Sequence, residues 1–347
     1  MRKIAIIHPR YQIGGGVDTV IYEVCRRLRD KYSFSIFTTN ANFEQIRGIE
    51  VYNLYFAGFG YEKQIFLTML FMFFNSNNYL NYDLIWTHSP PLILPALIIK
   101  KKLGVPILYT FHGIRTAPDP KLFFYKIIAR SAFNKIDRIV GVSDYVTKEA
   151  KLFGANALRI YNGCDVEKFC PIFEDEGYML TVSELASHKA VDIPIKVSHK
   201  LGIPLKVVGD GPERDRLERY ARRIGSNVEF LGLLRGSELI NLYQKCSFFI
   251  SGSYYESFGL SLLEAEACGK PVVARNCAAI PEIVRHNETG LLCSGDHEYL
   301  LHSKALWENE ALRKTFGRRA REFSENFQWS ATANEYGKLI DSFFIEG

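Results

Sequence analysis

Two glutamates eight residues apart give the sequence its strongest chemical signal. Glu256 and Glu264 lie in Tyr255–Gly269 (YESFGLSLLEAEACG), where apolar spacing predicts a helix that ends near Cys268. Glu256 therefore precedes the helix, where exposed N–H groups point at a ligand. Glu264 lies about two turns into it. The first carboxylate can reach hydroxyl groups at the helix N-terminus, and the second can reach a group along the helix flank. The alternative is a pair of solvated helix acids.

A glycine loop near the start could hold an anion. Gly14, Gly15 and Gly16 follow the apolar run Lys3–His8 and precede a helical pattern. Such a loop brings backbone N–H groups close to a phosphate at a helix N-terminus. A dinucleotide-binding loop would have glycine at the position of Thr19, so the pattern counts against a nicotinamide cofactor. The alternative is a plain turn.

Two further segments follow predicted strands. Gly209, Asp210 and Gly211 form a second glycine-rich turn in the motif VGDGP. His112 comes directly after the predicted strand Pro106–Phe111. Because open α/β sheets bind ligands at the carboxyl ends of their strands, we predict a functional rather than a structural role for this histidine.

Strands and helices alternate along the chain and must position these residues. In the front half, short apolar runs predict strands at Lys3–His8, Ser33–Thr38, Ile49–Leu54, Asp83–Thr87, Pro106–Phe111 and Arg138–Val142. In the back half, they predict strands at Tyr178–Ser183, Leu205–Gly209, Val228–Gly232, Phe248–Ser251 and Pro271–Ala274. Helical patterns lie between these runs. Each half is therefore predicted to be an α/β domain, a doubly wound and mostly parallel sheet covered on both faces.

The length of 347 residues suits two domains, at about 100–200 residues per domain. We predict a first domain over residues 1–170, completed by a C-terminal helix within 330–347, and a second over 171–329. The polar stretch 171–177 (PIFEDEG) is the expected linker. Formal charge differs between the halves, at +9 for residues 1–170 and −4 for residues 171–347. This asymmetry indicates different partners for the two domains.

Composition excludes several classes. With 47% hydrophobic and 23% charged residues, the chain is neither disordered nor a simple coiled coil. A net charge of +5 without a recognition motif argues against a nucleic-acid binder. The seven cysteines show no C-x-x-C spacing, so we expect reduced, mostly buried thiols rather than disulfides or a zinc site. We expect no signal peptide, because only four apolar residues follow the first three residues before His8 and Pro9. No apolar stretch reaches the roughly 18–20 residues of a spanning helix. A cytoplasmic protein is expected.

Apolar segments of the front half suit a membrane surface. Ile65–Phe74 and Lys121–Phe133 are rich in aromatic and aliphatic residues, and three lysines at 100–102 follow the apolar run Leu92–Ile99. Such segments can dock on an anionic bilayer that carries a lipid-linked acceptor. The alternative is that they are ordinary packed helices of the domain.

Taken in order, the motifs resemble those of the retaining glycosyltransferases of family 4, also called group 1, over nearly the whole chain. The matching segments are 14–16 (GGG), 110–113 (TFHG), 140–146 (VGVSDYV), 161–165 (YNGCD), 207–218 (VVGDGPERDRLE), 228–232 (VEFLG), 256–264 and 282–292 (EIVRHNETGLL). The resemblance implies a GT-B fold, in which two Rossmann-like domains face each other across a cleft and the C-terminal helix crosses back to the first domain. It also implies transfer of a sugar from a nucleotide-sugar to an acceptor without a metal or other cofactor. We expect the acceptor to be a glycolipid or surface-polysaccharide precursor.

The resemblance also implies roles for single residues. Glu256 would hold hydroxyls of the transferred sugar, His112 would lie beside that sugar, and Lys189 keeps the lysine of the family pattern. Glu264 would bind the ribose. The remaining residues assigned to the donor are Ser257, Phe258, Gly259 and Leu260 at the helix start, Gly209, Asp210 and Gly211, and the loop Gly14, Gly15 and Gly16.

One position departs from the family pattern. Glu184 stands where the family usually has arginine, and a carboxylate there would repel a diphosphate. Three interpretations stay open: another cation such as Arg10 or Arg115 substitutes, the donor is unusual, or catalysis has been lost. Lost catalysis would leave a catalytically silent sugar-nucleotide-binding protein. A nucleotide-sugar epimerase of the same fold, which would act without an acceptor, is a separate alternative.

Overall fold

Parallel strands form the centre of both halves of the chain. The computed structural model describes residues 1–9, 11–12, 15–38, 41–42, 48–53, 61–113, 130–172 and 174–345. The strands of the front half are β1 (Arg2–Ile7), β2 (Tyr11–Gln12), β3 (Tyr32–Thr38), β4 (Ala41–Asn42), β5 (Glu50–Asn53), β6 (Leu84–Thr87), β7 (Ile107–Phe111), β8 (Arg138–Gly141) and β9 (Ala157–Arg159). Seven of them form one sheet in the order β5-β3-β1-β6-β7-β8-β9, and β2 pairs with β4 separately.

The apolar runs of these strands fit a sheet that is buried on both faces. In β1, Ile4, Ile6 and Ile7 are fully buried, and Ile4 lies in register with Phe34 and Leu84 on the two neighbouring strands. The helices of this half are α1 (Gly16–Leu28), α2 (Tyr61–Phe74), α3 (Ile93–Leu103) and α4 (Asp144–Leu152). Because helices cover the sheet, its strands need no polar face.

The back half repeats this architecture. Its strands are β10 (Met179–Val182), β11 (Leu205–Val208), β12 (Val228–Gly232), β13 (Phe248–Ser251), β14 (Val272–Arg275) and β15 (Gly290–Cys293). They form a six-stranded parallel sheet in the order β12-β11-β10-β13-β14-β15. Its helices are α5 (Asp192–Leu201), α6 (Arg214–Ile224), α7 (Gly236–Lys245), α8 (Leu260–Ala267), α9 (Ile280–Ile283), α10 (Asp296–Glu308) and α11 (Glu310–Ser324). The predicted pair of doubly wound domains is confirmed.

The C-terminal helix α12 (Trp329–Ser342) belongs to the first unit, as predicted. The Tyr32 hydroxyl donates to the Gly337 carbonyl at 3.0 Å and to Asp341 at 2.6 Å. Near the start of the helix, Thr332 donates to the Tyr161 carbonyl at 2.8 Å. These bonds fix both ends of α12 to the front half of the chain.

The chain divides into two compact units, residues 1–162 with 329–347 and residues 163–328. The sequence-based boundary after residue 170 lies inside the second unit. The proposed linker is also fastened there, because Asp175 accepts a hydrogen bond from Ser247 at 2.8 Å and the Glu176 N–H donates to the Lys245 carbonyl at 2.8 Å. Five of the seven cysteines are buried, which agrees with the expected burial of most thiols.

Each sheet has a switch point, where the chain stops adding strands on one side and begins on the other. In the first unit it lies between β1 and β6, and in the second between β10 and β13. Parallel strands diverge there at their carboxyl ends and leave a crevice that ligands use. The residues that follow these four strands are therefore the first candidates for a site.

Candidate functional site

A half-buried ion pair occupies the switch point of the second unit. Lys189 follows β10, and Glu256 follows β13. The Lys189 ammonium donates to Glu256 Oε1 at 2.6 Å, and the Ser253 hydroxyl donates to the same oxygen at 2.7 Å. The two side chains are only 17% and 13% exposed. The structure thus brings together two residues that the sequence analysis singled out separately.

Close contact between the two loops holds this pair. The Tyr254 N–H donates to the His188 carbonyl at 2.9 Å, next to Lys189. A Cβ on Gly252 would lie 2.3 Å from the Ala190 carbonyl oxygen, so only glycine permits this approach. Gly252 and Ser253 were not predicted as site residues. The sequence placed both just after a strand, which was the available signal.

Helix α8 begins beside the pair, within the segment Tyr255–Gly269 where the sequence predicts a helix. Gly259 caps it with φ +99°, a left-handed conformation that favours glycine. Phe258 is buried and packs edge-on against Phe327, whereas Ser257 and Leu260 are partly exposed. The first amides of a helix have no partner within the helix, so α8 presents N–H donors near Glu256.

Glu264 is not a solvated helix acid. It is half-buried, and the Tyr243 hydroxyl on α7 donates to its Oε2 at 2.8 Å. Burial raises the pKa of Glu264 to about 7, although the hydrogen bond from Tyr243 acts in the opposite direction. Near neutral pH this carboxyl group is therefore present in both protonation states.

Close packing requires glycine at two positions of the second glycine-rich turn. A Cβ on Gly209, at φ +133°, would lie 1.8 Å from the Ser183 carbonyl oxygen. A Cβ on Gly211 would lie 2.5 Å from the Leu185 carbonyl oxygen. Asp210 between them is exposed and accepts a hydrogen bond from the Gly211 N–H at 2.8 Å. These glycines thus have a structural reason that is independent of any ligand.

Glu184 lies on the segment that packs against this turn. Its side chain is exposed, and no ion pair of Glu184 is found within the part of the chain that the structure describes. The Glu184 carboxylate is therefore available to repel a diphosphate or to bind a ligand. Arg10 and Arg115, the cations proposed to substitute at this position, lie outside the described residues.

Three histidines gather at the switch point of the first unit. His8, His88 and His112 follow β1, β6 and β7, which are neighbours in the sheet. His88 Nδ1 and His112 Nε2 are 3.1 Å apart. Burial lowers the pKa of His112 to about 3 and that of His88 well below its usual value, so both rings are neutral. Of these three histidines, only His112 was predicted from the sequence. His8 is the last residue of the predicted strand Lys3–His8, and His88 directly follows the predicted strand Asp83–Thr87.

The glycine loop of the first unit lies at the start of α1. Gly15 caps the helix and Gly16 begins it, whereas Gly14 lies outside the described residues. A Cβ on Gly15 would lie 2.6 Å from Asp18 Oδ2. The Asp18 carboxylate is buried and lies 3.3 Å from His8 Nε2. A carboxylate thus lies at the helix end where the sequence analysis expected a diphosphate.

Two features are absent from the described residues. No group of three or more histidine, cysteine, aspartate or glutamate side chains is arranged there to hold a metal ion. Among the same residues, none of the helices has the length and apolar character needed to cross a bilayer.

Comparison with known proteins adds independent findings. The family model described as glycosyl transferases group 1 matches residues 166–323, and the model described as glycosyltransferase family 4 matches residues 14–168. An uncharacterised glycosyltransferase of Methanocaldococcus jannaschii is 32% identical over 260 residues, which cover 71% of this chain and 72% of the relative.

Solved structures agree on the fold. Sucrose-phosphate synthase from Thermosynechococcus elongatus superposes with a TM-score of 0.90 at 19% identity, covering 100% of both chains. HepE of Anabaena, solved in complex with UDP-glucose, gives a TM-score of 0.81 at 20% identity and covers 99% of this chain and 100% of its own. At such identities the likeness shows the fold alone. With the two family models and the archaeal relative, it establishes that the chain is a GT-B glycosyltransferase of group 1, family 4.

Proposed function

We propose that the protein moves a sugar from a nucleoside-diphosphate sugar to an acceptor hydroxyl with retention of configuration. The Lys189–Glu256 pair carries this proposal. Breaking a glycosyl–phosphate bond needs positive charge at the departing diphosphate and negative charge near an oxocarbenium-like carbon. The switch point of the second unit offers both charges at one place. The UDP-glucose bound to HepE supports the same class of donor.

The two charges separate when the donor binds. The diphosphate gives Lys189 a new anionic partner, and Glu256 becomes free to accept hydrogen bonds from sugar hydroxyls. Ser253 keeps Glu256 in position through its hydrogen bond. The Ser257 hydroxyl and the amides of Phe258, Gly259 and Leu260 meet the sugar and diphosphate at the start of α8, where the helix dipole also favours an anion. These groups supply the positive charge, so we propose a metal-independent reaction.

Bonds and protons balance without a further reagent. The bond between the anomeric carbon and the phosphate oxygen breaks, and the acceptor oxygen attacks from the same face. The acceptor proton passes to the phosphate oxygen that leaves. Glu264 binds the ribose hydroxyls. His112 acts on the transferred sugar, and Gly14, Gly15 and Gly16 approach the diphosphate. Gly209, Asp210 and Gly211 complete the proposed donor-binding set.

For the acceptor, we propose a glycolipid or surface-polysaccharide precursor on the cytoplasmic face of a membrane. Exposed apolar side chains recur every four residues on α2, at Phe66, Leu70 and Phe74. The neighbouring α3 exposes Leu94 and Ile98, and Lys101 is exposed one turn further along. Apolar side chains beside a cation suit an anionic lipid surface. Lys121–Phe133, the other segment proposed for this surface, lies largely outside the described residues.

Vesicle sedimentation tests the membrane proposal. The protein should sediment with phosphatidylglycerol vesicles more than with phosphatidylcholine vesicles, and Phe66→Ser with Phe74→Ser should abolish the difference. Leu152→Ser is the matched control, because Leu152 is 81% exposed on α4, away from the α2 stripe. Equal binding to both vesicles, or binding that survives the double change, would contradict a docking role.

The exposed carboxylate of Glu184 favours a second candidate, a protein that binds a sugar-nucleotide without turnover. The melting temperature of the protein, measured with UDP-, GDP-, ADP- and CMP-sugars and with or without magnesium, shows whether it binds a sugar-nucleotide. A ligand at 100 times its dissociation constant stabilises a protein by about 2.7 kcal/mol. Product analysis with an acceptor mixture then separates the functions. Transfer with retained configuration supports our proposal, binding without any product supports the silent protein, and a new sugar-nucleotide formed without acceptor supports an epimerase.

A further inference from the structure

Four aromatic rings form a column that ends at His112. Tyr336 on α12 lies against Trp86 on β6 at 5.0 Å between ring centroids. Trp86 lies 5.0 Å from His88, and His88 stacks on His112 at 5.4 Å with an interplanar angle of 28°. Tyr336, Trp86 and His88 are almost fully buried, whereas His112 is only partly covered. The column therefore leads from the C-terminal helix to an accessible imidazole.

Hydrogen bonds lock the buried part of the column. The Trp86 indole N–H donates to the Thr110 hydroxyl at 2.9 Å, and the hydroxyls of Thr110 and Tyr336 are 3.2 Å apart. Thr110 is on β7, two residues before His112. These bonds hold the Trp86 and Tyr336 rings. His88 lies between Trp86 and His112, with its Nδ1 3.1 Å from His112 Nε2.

Burial of His88 decides which nitrogen carries the proton. His88 Nε2 is buried, and no described residue bonds to it. A proton there would be a buried N–H group without an acceptor, which is rarer in proteins than an acceptor without a donor. The proton of neutral His88 therefore belongs on Nδ1, from which it donates to His112 Nε2. His112 must then carry its own proton on Nδ1.

We infer that His88 is a positioning residue that holds His112 in its Nδ1–H tautomer, so that His112 serves as a hydrogen-bond donor to substrate oxygen and not as a general base through Nε2. This inference rests on the proposed function only in assigning the substrate to His112. The tautomer itself is a property of the protein without ligand.

Replacing His88 with asparagine or with glutamine tests the inference, because the side-chain amides of these residues reach different positions. Asparagine places its amide nitrogen where His88 has Nδ1, whereas glutamine reaches the position of Nε2. We expect His88→Leu and His88→Gln to lower kcat by at least about tenfold, which is the lower end of the loss seen when a metal-binding histidine loses the partner that orients it. His88→Asn should recover most of this loss, and donor affinity should change little in all three. His302→Leu is the matched control, because His302 is also paired with a second histidine ring, His286, in the other unit.

Nitrogen NMR of the histidine-labelled protein gives a readout that does not need turnover. The ligand-free wild type should show His112 protonated on Nδ1, and His88→Leu should give a mixture of tautomers while His88→Asn keeps the original one. An Nε2–H tautomer in the wild type would overturn the inference, and so would equal losses in the asparagine and glutamine variants. His112→Ala with normal turnover would instead refute the proposed function of His112 and leave the tautomer to be decided by NMR.

Discussion

The two units place different chemistry at the same topological position. The switch point of the second unit holds a cation and a carboxylate in contact, Lys189 and Glu256. The switch point of the first unit holds three imidazoles, of which His88 and His112 are kept neutral by burial. Both parallel sheets reverse their strand order at the centre and so form a crevice. The few residues that follow each central strand determine the charge of that crevice. The Lys189–Glu256 pair suits the proposed bond breaking in a diphosphate sugar, and the neutral His88–His112 pair suits hydrogen bonding to hydroxyls.

Removing the negative charge of Glu256 should lower turnover more than any other change proposed here. Glu256→Gln keeps a group that can accept from Ser253 but cannot balance positive charge on the reacting carbon. We expect turnover to fall by about 10²- to 10³-fold, measured as kcat with saturating donor, with a circular dichroism spectrum like that of the wild type. Glu308→Gln, an exposed glutamate on α10, serves as the control. Near-normal turnover in Glu256→Gln would refute the assigned role.

Separating the loops that follow β10 and β13 should lower both the stability of the protein and its activity. In Gly252→Ala the new Cβ would press on the Ala190 carbonyl and move Lys189 away from Glu256. Overpacking of this kind costs about 1–3 kcal/mol, measurable as the free energy of unfolding in urea. Gly295→Ser is the control, because a Cβ on Gly295 meets nothing within 4 Å and serine is a favoured helix cap. Unchanged stability and turnover in Gly252→Ala would show that the pair does not depend on this contact.

The stability and nucleotide affinity of the second unit should depend on pH near neutrality, because Glu264 titrates there. The neutral His88 and His112 of the first unit should not contribute to this dependence. The pKa of about 7 lies above that of an unfolded glutamate, so the ligand-free protein loses the stability of the protonated form as the pH rises through that value. Ribose hydroxyls donate to the ionised carboxylate, so nucleotide affinity should rise about five- to tenfold from about pH 6 to about pH 8. Titration calorimetry of the wild type and of Glu264→Gln should show this rise only in the wild type. The same rise in both proteins would mean that another group is responsible.

Much of the fold was predictable because buried parallel strands leave short apolar runs in the sequence. Every strand predicted from such a run is present within a few residues of its expected bounds. β2, β4 and β9 were missed because two or three residues give no periodic signal, and β15 was missed because GLLC follows a polar turn. The linker prediction failed since polarity does not show that Asp175 and Glu176 bond to the second unit.

The site was less predictable, because it depends on which strand ends become neighbours. Glu256 and Glu264 could be chosen from the sequence because they lie eight residues apart, one before a predicted helix and one within it. The partnership of His112 with His88 requires β6 to lie beside β7, which strand patterns alone do not specify. The role of Gly209 and Gly211 in loop packing was equally hidden, because the carbonyls they approach belong to a distant segment.

The most direct test of the central claim is titration calorimetry of a nucleoside diphosphate with the wild type and with Lys189→Met. UDP is the first probe, followed by GDP, ADP and CDP. A charge-assisted hydrogen bond contributes about 1.5–3 kcal/mol, so we expect the best-bound nucleotide to lose at least about tenfold in affinity in Lys189→Met. Lys200→Met, an exposed lysine on α5, should bind like the wild type. Equal affinity in Lys189→Met and the wild type would contradict the claim that this crevice binds the donor diphosphate.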